Sequence, residues 1–210
     1  MADPHTNGRN ASDIAVTNTE YNGYEPSLLS LAGGALDVTV SRGIAFTGAN
    51  NQVNTLGVGL SDITETIILE TTLLNVNTGT GAAQAGIWFG LDEANYVKLD
   101  VTNNNRIELR REIDDLSPSV DQIPEDNLFT AGDDVSLRMV IDPTLMTITG
   151  FYSVNGGALT PLSGSLSLPQ SFLDGKEISP LEGNASFAGI FSSHRFNSSS
   201  FVASFDAFSV

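Results

Sequence analysis

The sequence predicts an all-β protein, a two-sheet antiparallel β-sandwich. Apolar and polar residues alternate at a period of two through much of the chain, the pattern of strands that bury one face. Clusters of Gly, Asn, Asp and Pro punctuate the alternation at short intervals, as in chains of hairpins. No segment carries a convincing helical period, and residues 171–176 are expected to form at most one short turn.

The strands follow in order. Residues 27–31 and 35–40 flank Gly33-Gly34, a hairpin signal. Residues 67–74 form an apolar, β-branched run that ends in turn-like residues 75–81. Three strands come next, at 85–91, 95–101 and 106–113, joined through Asp92-Glu93-Ala94 and Asn103-Asn104-Asn105. Connectors this short make the three antiparallel neighbours. Residues 135–141 and 146–154 are joined through Asp142-Pro143-Thr144, and Asn155-Gly156-Gly157 closes the second of them. Residues 187–192 and 201–210 complete the set, while 114–130, rich in Asp, Pro and Ser, is expected to be a long loop crossing between sheets. Within the strands, Val97, Leu99 and Val101 oppose Tyr96, Lys98 and Asp100; Ile107 and Leu109 oppose Arg106, Glu108 and Arg110. Val135, Leu137, Met139 and Ile141 oppose Ser136, Arg138 and Val140. Two sheets stacked on their apolar faces satisfy all of these strands together.

Composition fits one domain. The chain has 210 residues and 40% hydrophobic residues, enough for a single sizeable core. Residues 1–12 are polar and are expected to be a flexible N-terminal segment, with 13–210 as one domain. The opening residues show no basic start followed by an apolar run, so they read as the start of a piece of a longer secreted chain rather than as a leader. No apolar stretch has the length of a membrane-spanning helix. Asp and Glu total 25 against 9 Lys and Arg, for a net charge of −16. Such a surface repels phosphate backbones and anionic headgroups, so nucleic acid and membrane insertion are not expected. The absence of cysteine excludes disulfides, thiol nucleophiles and Cys-ligated zinc, and two histidines, His5 and His194, do not make a multi-histidine metal site.

AGIWFGLDEANYVKLDV (residues 85–101) resembles the central hairpin of concanavalin A-like and laminin G-like jelly-roll domains, and RIELRRE (106–112) is similar to their next strand. VSLRMVIDPTLMTITGFYSVNGGALTPL (135–162) resembles a later hairpin of the same group, and FAGIFSSHR with the terminal SFDAFSV resembles its closing strands. The likeness covers roughly residues 60–210 and points to jelly-roll domains of large secreted bacterial proteins of the Bacteroidetes type. It implies an extracellular or cell-surface setting, neighbouring domains in a larger parent chain, and a polysaccharide or glycan as partner. A jelly roll also hosts hydrolases, lyases and adhesion modules, so function must be read from the site.

Two enzyme chemistries on this fold have checkable motifs. Laminarinase-type hydrolases need Glu-x-Asp-x-Glu, or the same with one insertion, to place two carboxyl groups ~5 Å apart. Glu112-Ile113-Asp114 begins that motif, but Asp115-Leu116-Ser117 follows and the second glutamate is missing. Jelly-roll alginate lyases carry Arg-x-Glu-Leu-Arg, which Arg106-Ile107-Glu108-Leu109-Arg110 matches. Pro124 stands after Gln122-Ile123 where their histidine would be, and Tyr96-Val97-Lys98 precedes the arginine strand instead of following it. No histidine is then placed to take the proton that elimination removes. No Gly-x-Ser-x-Gly elbow supports a serine hydrolase either. A non-catalytic binding module is favoured over an adhesion or spacer domain, and both over a lyase or hydrolase with an atypical site.

Sugar recognition needs an aromatic face flanked by polar groups. Alternation puts Trp88 on the side of its strand away from Ile87 and Phe89, and Tyr96, Lys98, Arg110 and Arg138 on the corresponding side of theirs. These residues are the predicted aromatic-basic stripe, with Tyr152, His194 and Arg195 as rim candidates. The opposing expectation is that the sole tryptophan belongs to the core and that the arginines pair with Glu108 and Asp100. The resemblance also implies a structural calcium held by an aspartate of the last strand, here Asp206. Alternation permits two registers, one with Asp206 beside Val202, Phe208 and Val210, the other with Phe201, Phe205 and Ala207 inside and Asp206 in water.

Overall fold

The computed structural model describes residues 24–47, 51–77, 81–181, 183–195 and 199–210. The expected flexible segment at 1–12 lies outside them. Among the described residues fourteen strands form: β1 (Leu29–Ala32), β2 (Ala35–Val40), β3 (Leu56–Leu60), β4 (Ile67–Leu74), β5 (Gln84–Asp92), β6 (Asn95–Thr102) and β7 (Arg106–Glu112). They continue as β8 (Gln122–Glu125), β9 (Val135–Asp142), β10 (Thr147–Val154), β11 (Thr160–Ser167), β12 (Lys176–Ser179), β13 (Gly183–Ser193) and β14 (Phe201–Ser209). One short helix, α1 (Gln170–Asp174), stands where a single turn was expected. Among the described residues no helix is long and apolar enough to cross a membrane.

All pairings are antiparallel and fall into two sheets. The first has the order β1-β2-β14-β4-β9-β10-β11; the second is β12-β13-β5-β6-β7-β8, with β3 also paired to β13. The expected β-sandwich is the observed fold. Leu69, Leu73, Val135, Leu137, Met139, Ile141 and Phe205 of the first sheet meet Ile87, Phe89, Val97, Leu99, Ile107, Leu109 and Ile190 of the second in one core. Each such buried side chain contributes roughly 1.5–3 kcal/mol of hydrophobic stabilisation before the entropy of ordering is counted against it.

The expected hairpins are present. Gly33 (φ 61°) and Gly34 (φ 96°) form a two-residue turn between Ala32 and Ala35, a positive-φ pair that favours glycine. Between β6 and β7, Asn104 (φ 61°) and Asn105 (φ 52°) take the left-handed conformation that asparagine tolerates. β5, β6 and β7 are consecutive neighbours, as their short connectors implied.

Four strands have no counterpart in the sequence reading, and each lacks the signal that reading relies on. β3 is LGVGL, half glycine-spaced; β11 is TPLSGSLS and mostly exposed; β12 has only four residues. β8, QIPE, lies inside the expected 114–130 loop, and its Pro124 is admissible because β8 is an edge strand. A larger departure concerns the second sheet. The pattern of β5, β6 and β7 predicts one wet face, yet almost every residue in them is buried on both faces.

The second sheet is closely drawn where β3, β13 and β5 run side by side. Gly57 faces Gly189, which in turn faces Trp88. A Cβ added at Gly189 would sit 2.1 Å from the Leu56 carbonyl oxygen, an overlap with backbone that no rotamer change relieves. Gly189→Ala is therefore expected to lower the urea-unfolding free energy by about 2 kcal/mol or more, at the upper end of overpacking effects. An unchanged midpoint would mean that the strands separate freely at this point.

Candidate functional site

The outward face of β5, β6 and β7 brings together Trp88, Tyr96, Lys98 and Arg110, as the alternation implied. Cross-strand register places Trp88 opposite Lys98, Lys98 opposite Arg110, Asp100 opposite Glu108, and Tyr96 opposite Glu112. Trp88 and Tyr96 stack with ring centroids 3.8 Å apart and planes 19° from parallel. Phe191, on β13, meets the indole at 5.9 Å and a tilt of 60°.

This face is not open. Residues 43–47 lie across it, and Ala45 packs with Trp88, Tyr96 and Phe191 as a second, small apolar cluster apart from the main core. Trp88 is 1% exposed, Tyr96 and Lys98 are fully buried, and Arg110 is 6% exposed. The expected exposed stripe is therefore corrected to a covered one: an irregular segment of the same chain supplies the cover. Backbone anchors hold that segment to the end of β13. The Ala45 amide donates to Ser193 Oγ (3.2 Å), Ser193 Oγ donates to the Gly43 carbonyl (3.3 Å), and the Arg195 amide donates to the same carbonyl (2.9 Å). The Phe46 ring lies between two guanidinium groups, 5.2 Å from Arg110 and 4.1 Å from Arg195.

Beneath the cover sits a charged layer. The Lys98 ammonium donates to the Ala45 carbonyl and to Gln84 Oε1 (2.9 Å). Arg110 grips Glu108 through two bonds, Nε to Oε1 at 2.9 Å and Nη2 to Oε2 at 3.1 Å, and also reaches Gln122 Oε1 (2.8 Å) and Ser117 Oγ (3.2 Å). At the edge, Arg106 pairs with Asp126 at 2.6 Å. Asp100 is fully buried and neither of its carboxyl oxygens has a hydrogen-bond partner among the described residues; the Gln84 Nε2 amide is likewise buried without one.

Burial pushes the Asp100 carboxyl up to about 8 against the attraction of Lys98. It brings the Lys98 ammonium down to about 8 against the attraction of Asp100 and Glu108. Burial also acts to raise Glu108, but the bonds and charge of Arg110 outweigh it and hold the carboxyl below its ordinary value. The Tyr96 phenol is raised well above its usual value by burial first, then by the neighbouring Glu112, with which it hydrogen-bonds. Two neighbouring carboxyls thus differ in affinity for a proton because one has an arginine fork and the other has none.

The other sequence candidates lie elsewhere. Arg138 shares the outward parity of its strand, but β9 belongs to the first sheet, so it sits on the opposite side of the sandwich, paired with Glu70 at 2.5 Å. Tyr152, opposite Leu137 on β10, turns inward and packs half-buried against the main core. His194, half-buried, meets the Ser199 carbonyl at 3.2 Å and stands next to Arg195 at the rim of the charged layer. Glu112 ends β7, and Asp114 (φ 50°) and Asp115 (φ 62°) turn away from the strand, so the hydrolase-like acidic string does not line one face. Asp206 is exposed and Phe205 buried, as the second register has it, but a bulge between Phe205 and Phe208 breaks the alternation, so that Ala207 is exposed and Phe208 half-buried and neither register holds to the end of the strand. It borders an apolar groove of about 710 Å³ between β14 and β3. Calcium takes six to eight oxygen ligands, and among the described residues no three His, Asp or Glu side chains gather to hold a metal.

Phe46, Ala45, Gln84 and Gln122 were not among the sequence candidates. Gln84 shares the parity of Trp88 and was legible on that ground. The rest come from segments without a period.

These features define a β-sandwich domain with a covered charged layer on one sheet. No protein-family model matches the chain, and no curated protein does. Solved structures share the fold. The GH43 protein BlXynB from Bacillus licheniformis matches with a TM-score of 0.69 at 18% identity, over 88% of this chain and 34% of that one. A functionally unknown protein from Saccharomyces cerevisiae matches at 0.62 and 12% identity, over 88% of this chain and 91% of that one. An endo-1,3-β-glucanase from Streptomyces sioyaensis matches at 0.50 and 11% identity, over 87% and 77%. The chain spans about a third of the length of the GH43 protein.

The titration of Asp100 has a measurable consequence. Folded Asp100 keeps its proton up to about pH 8, whereas an ordinary Asp releases it near 3.8. Between those values the folded chain binds the extra proton. The contribution of Asp100 is fully present below the lower value and is lost as pH rises through the upper one. Lys98 acts oppositely between about 8 and 10.5, where the unfolded chain binds the proton and stability rises with pH. The difference in unfolding free energy between wild type and Asp100→Asn should thus be more favourable to wild type at ~pH 5 than at ~pH 8. Equal differences at the two pH values would show that Asp100 titrates as an ordinary carboxyl.

Proposed function

We propose that the chain is a non-catalytic polysaccharide-binding domain of a secreted or cell-surface protein, with the outward face of β5, β6 and β7 as its site. One observation carries the reading. Groups of one kind stand directly opposite one another, the cations of Lys98 and Arg110 and the carboxyls of Asp100 and Glu108, in a buried layer beside a stacked Trp88–Tyr96 pair. Like charges directly across a ladder destabilise it, and burying them adds a desolvation cost. Folding alone does not favour such rows, whereas a ligand rich in hydroxyl groups makes use of donors and acceptors placed beside an aromatic plane.

Other observations point the same way. Lys98, Arg106, Arg110 and Arg195 concentrate on this face four of the nine basic residues of a chain with net charge −16. The solved neighbours include proteins named as a xylan β-1,4-xylosidase and an endo-1,3-β-glucanase, both names of carbohydrate-active proteins. A binding role is preferred to catalysis because the acidic string after Glu112 leaves the strand and Pro124 faces Glu108 where a lyase would need a base. The second reading, a spacer domain within a larger protein, draws on the covering of the aromatic pair by residues 43–47.

Affinity electrophoresis separates the two. In gels containing a soluble β-1,3-glucan, a xylan or a uronate polymer, at least one polymer should retard the wild-type domain. Arg110→Gln, which removes the fork on Glu108, should weaken that retardation about tenfold or more, the usual scale for disrupting a buried charge pair at a binding site. A melting curve confirms that the variant is folded. Unaltered migration of wild type in every gel would establish the spacer reading.

A further inference from the structure

The cover over the charged layer leaves it poorly satisfied. A segment built solely to complete a core would bring apolar atoms to apolar atoms and donors to acceptors. Residues 43–46 do the first at Ala45, against Trp88, Tyr96 and Phe191. They do the second only in part: Ala45 offers its carbonyl to Lys98, but no donor to Asp100 and no acceptor to Gln84 Nε2. Across the ladder from Asp100 stands Gly86, which has no side chain to offer. Gln52, against Gly43, is also fully buried with neither amide atom paired among the described residues. Leaving a buried carboxyl or amide unpaired forfeits the hydrogen bonds it had to water, at a cost that is larger still for a charged group.

We propose that residues 43–46 are a displaceable plug in a preformed saccharide cleft, and that Asp100 and Lys98 take up sugar hydroxyls when the plug leaves. The inference rests on the polysaccharide-binding reading and adds to it the groups that make the contact and the step that exposes them. The plug occupies the cleft in a ligand-like manner. Its carbonyl takes the ammonium, a methyl group lies on the aromatic pair, and the Phe46 ring fills the space between the Arg110 and Arg195 guanidinium groups. A sugar ring has an apolar face for Trp88 and Tyr96, hydroxyl donors for Asp100, and hydroxyl acceptors for Lys98 and Gln84. It supplies what the plug supplies and also the bonds that the plug leaves unmade. That difference in bonding between the plugged and open states allows a ligand to shift the equilibrium.

The anchors of the plug to the sheet are backbone groups. Ser193 Oγ and the Arg195 amide hold it at Gly43 and Ala45, and such groups are satisfied almost as well by water. A second pair of bonds joins Ile44 to Asn51 of the same stretch of chain, the Ile44 amide donating to Asn51 Oδ1 (2.9 Å) and the Asn51 amide to the Ile44 carbonyl (2.8 Å), and these can travel with the plug. Gly43 itself has a φ of 96° in the left-handed region, where a glycine turns the chain without strain.

Trp88 is the sole tryptophan and lies under the plug, so its fluorescence reports the plug directly. The chain has no cysteine, so Ala45→Cys/Ser193→Cys introduces the only thiols, at two positions already joined by a hydrogen bond. Wild type is titrated with the soluble β-1,3-glucan, the xylan and the uronate polymer. Binding is expected to shift Trp88 emission to the red and to increase its quenching by acrylamide. Oxidation of the double variant should reduce affinity about tenfold or more, and dithiothreitol should restore it within the same sample. Asp100→Asn should weaken binding on the same scale while the melting curve shows it folded. Binding by wild type without a change in Trp88 emission, with Asp100→Asn as tight as wild type, would overturn the plug and leave the polysaccharide reading standing. Failure of wild type to bind any of the three polymers would overturn both.

Discussion

The Lys98 ammonium has no water to go to, and the organisation of the second sheet follows from how it is held. It is fully buried, bound by the Ala45 carbonyl on one side and Gln84 on the other, with the carboxyls of Asp100 and Glu108 nearby. An isolated buried ammonium is costly enough to lose its proton or draw in a partner. Here one ammonium, through two bonds, fastens β6 to β5 and to the covering segment. The aromatic stack, the arginine fork on Glu108 and the unpaired Asp100 all lie within the same layer, so what happens to this one nitrogen is felt by each of them.

Much of the fold was legible because its causes are local. Gly33-Gly34, Asp92 to Asn95 and the asparagine run at 103–105 specify tight turns, and tight turns make consecutive strands partners. That was enough to place Trp88, Tyr96, Lys98 and Arg110 on a common face. Arg138 shows the limit of the same logic. Alternation specifies the side of a strand on which a residue lies, not the sheet to which the strand belongs, and β9 is on the far side of the sandwich. The cover was not legible at all. The contact from Lys98 to Ala45 spans 53 positions and involves a backbone carbonyl in a segment without period, so no local pattern announces it. A lysine and an aspartate in alternation with valine and leucine normally mark a wet face, and tertiary context reversed that here.

The comparison with solved structures divides along the same line. A shared sandwich at 11–18% identity reflects the stacking of two apolar faces, which many sequences satisfy. The charged layer is made from particular residues of β5, β6 and β7 and from what covers them. Function is therefore argued from that layer and not from the architecture that carries it.

The borders of the two sheets are treated unequally. On one flank β8 and β11 lie against each other, each carrying a proline, Pro124 and Pro161, and tied across the sandwich by the Ser163 amide to Glu125 at 2.6 Å. Neither accepts a further strand readily. On the other flank β1 ends its sheet with Leu31 83% exposed, and β3 carries an exposed Val58 with glycine on both sides. Stray edge-to-edge pairing between copies would thus join one proline-free flank to another and stop at two, because the opposite flank offers no second edge to extend.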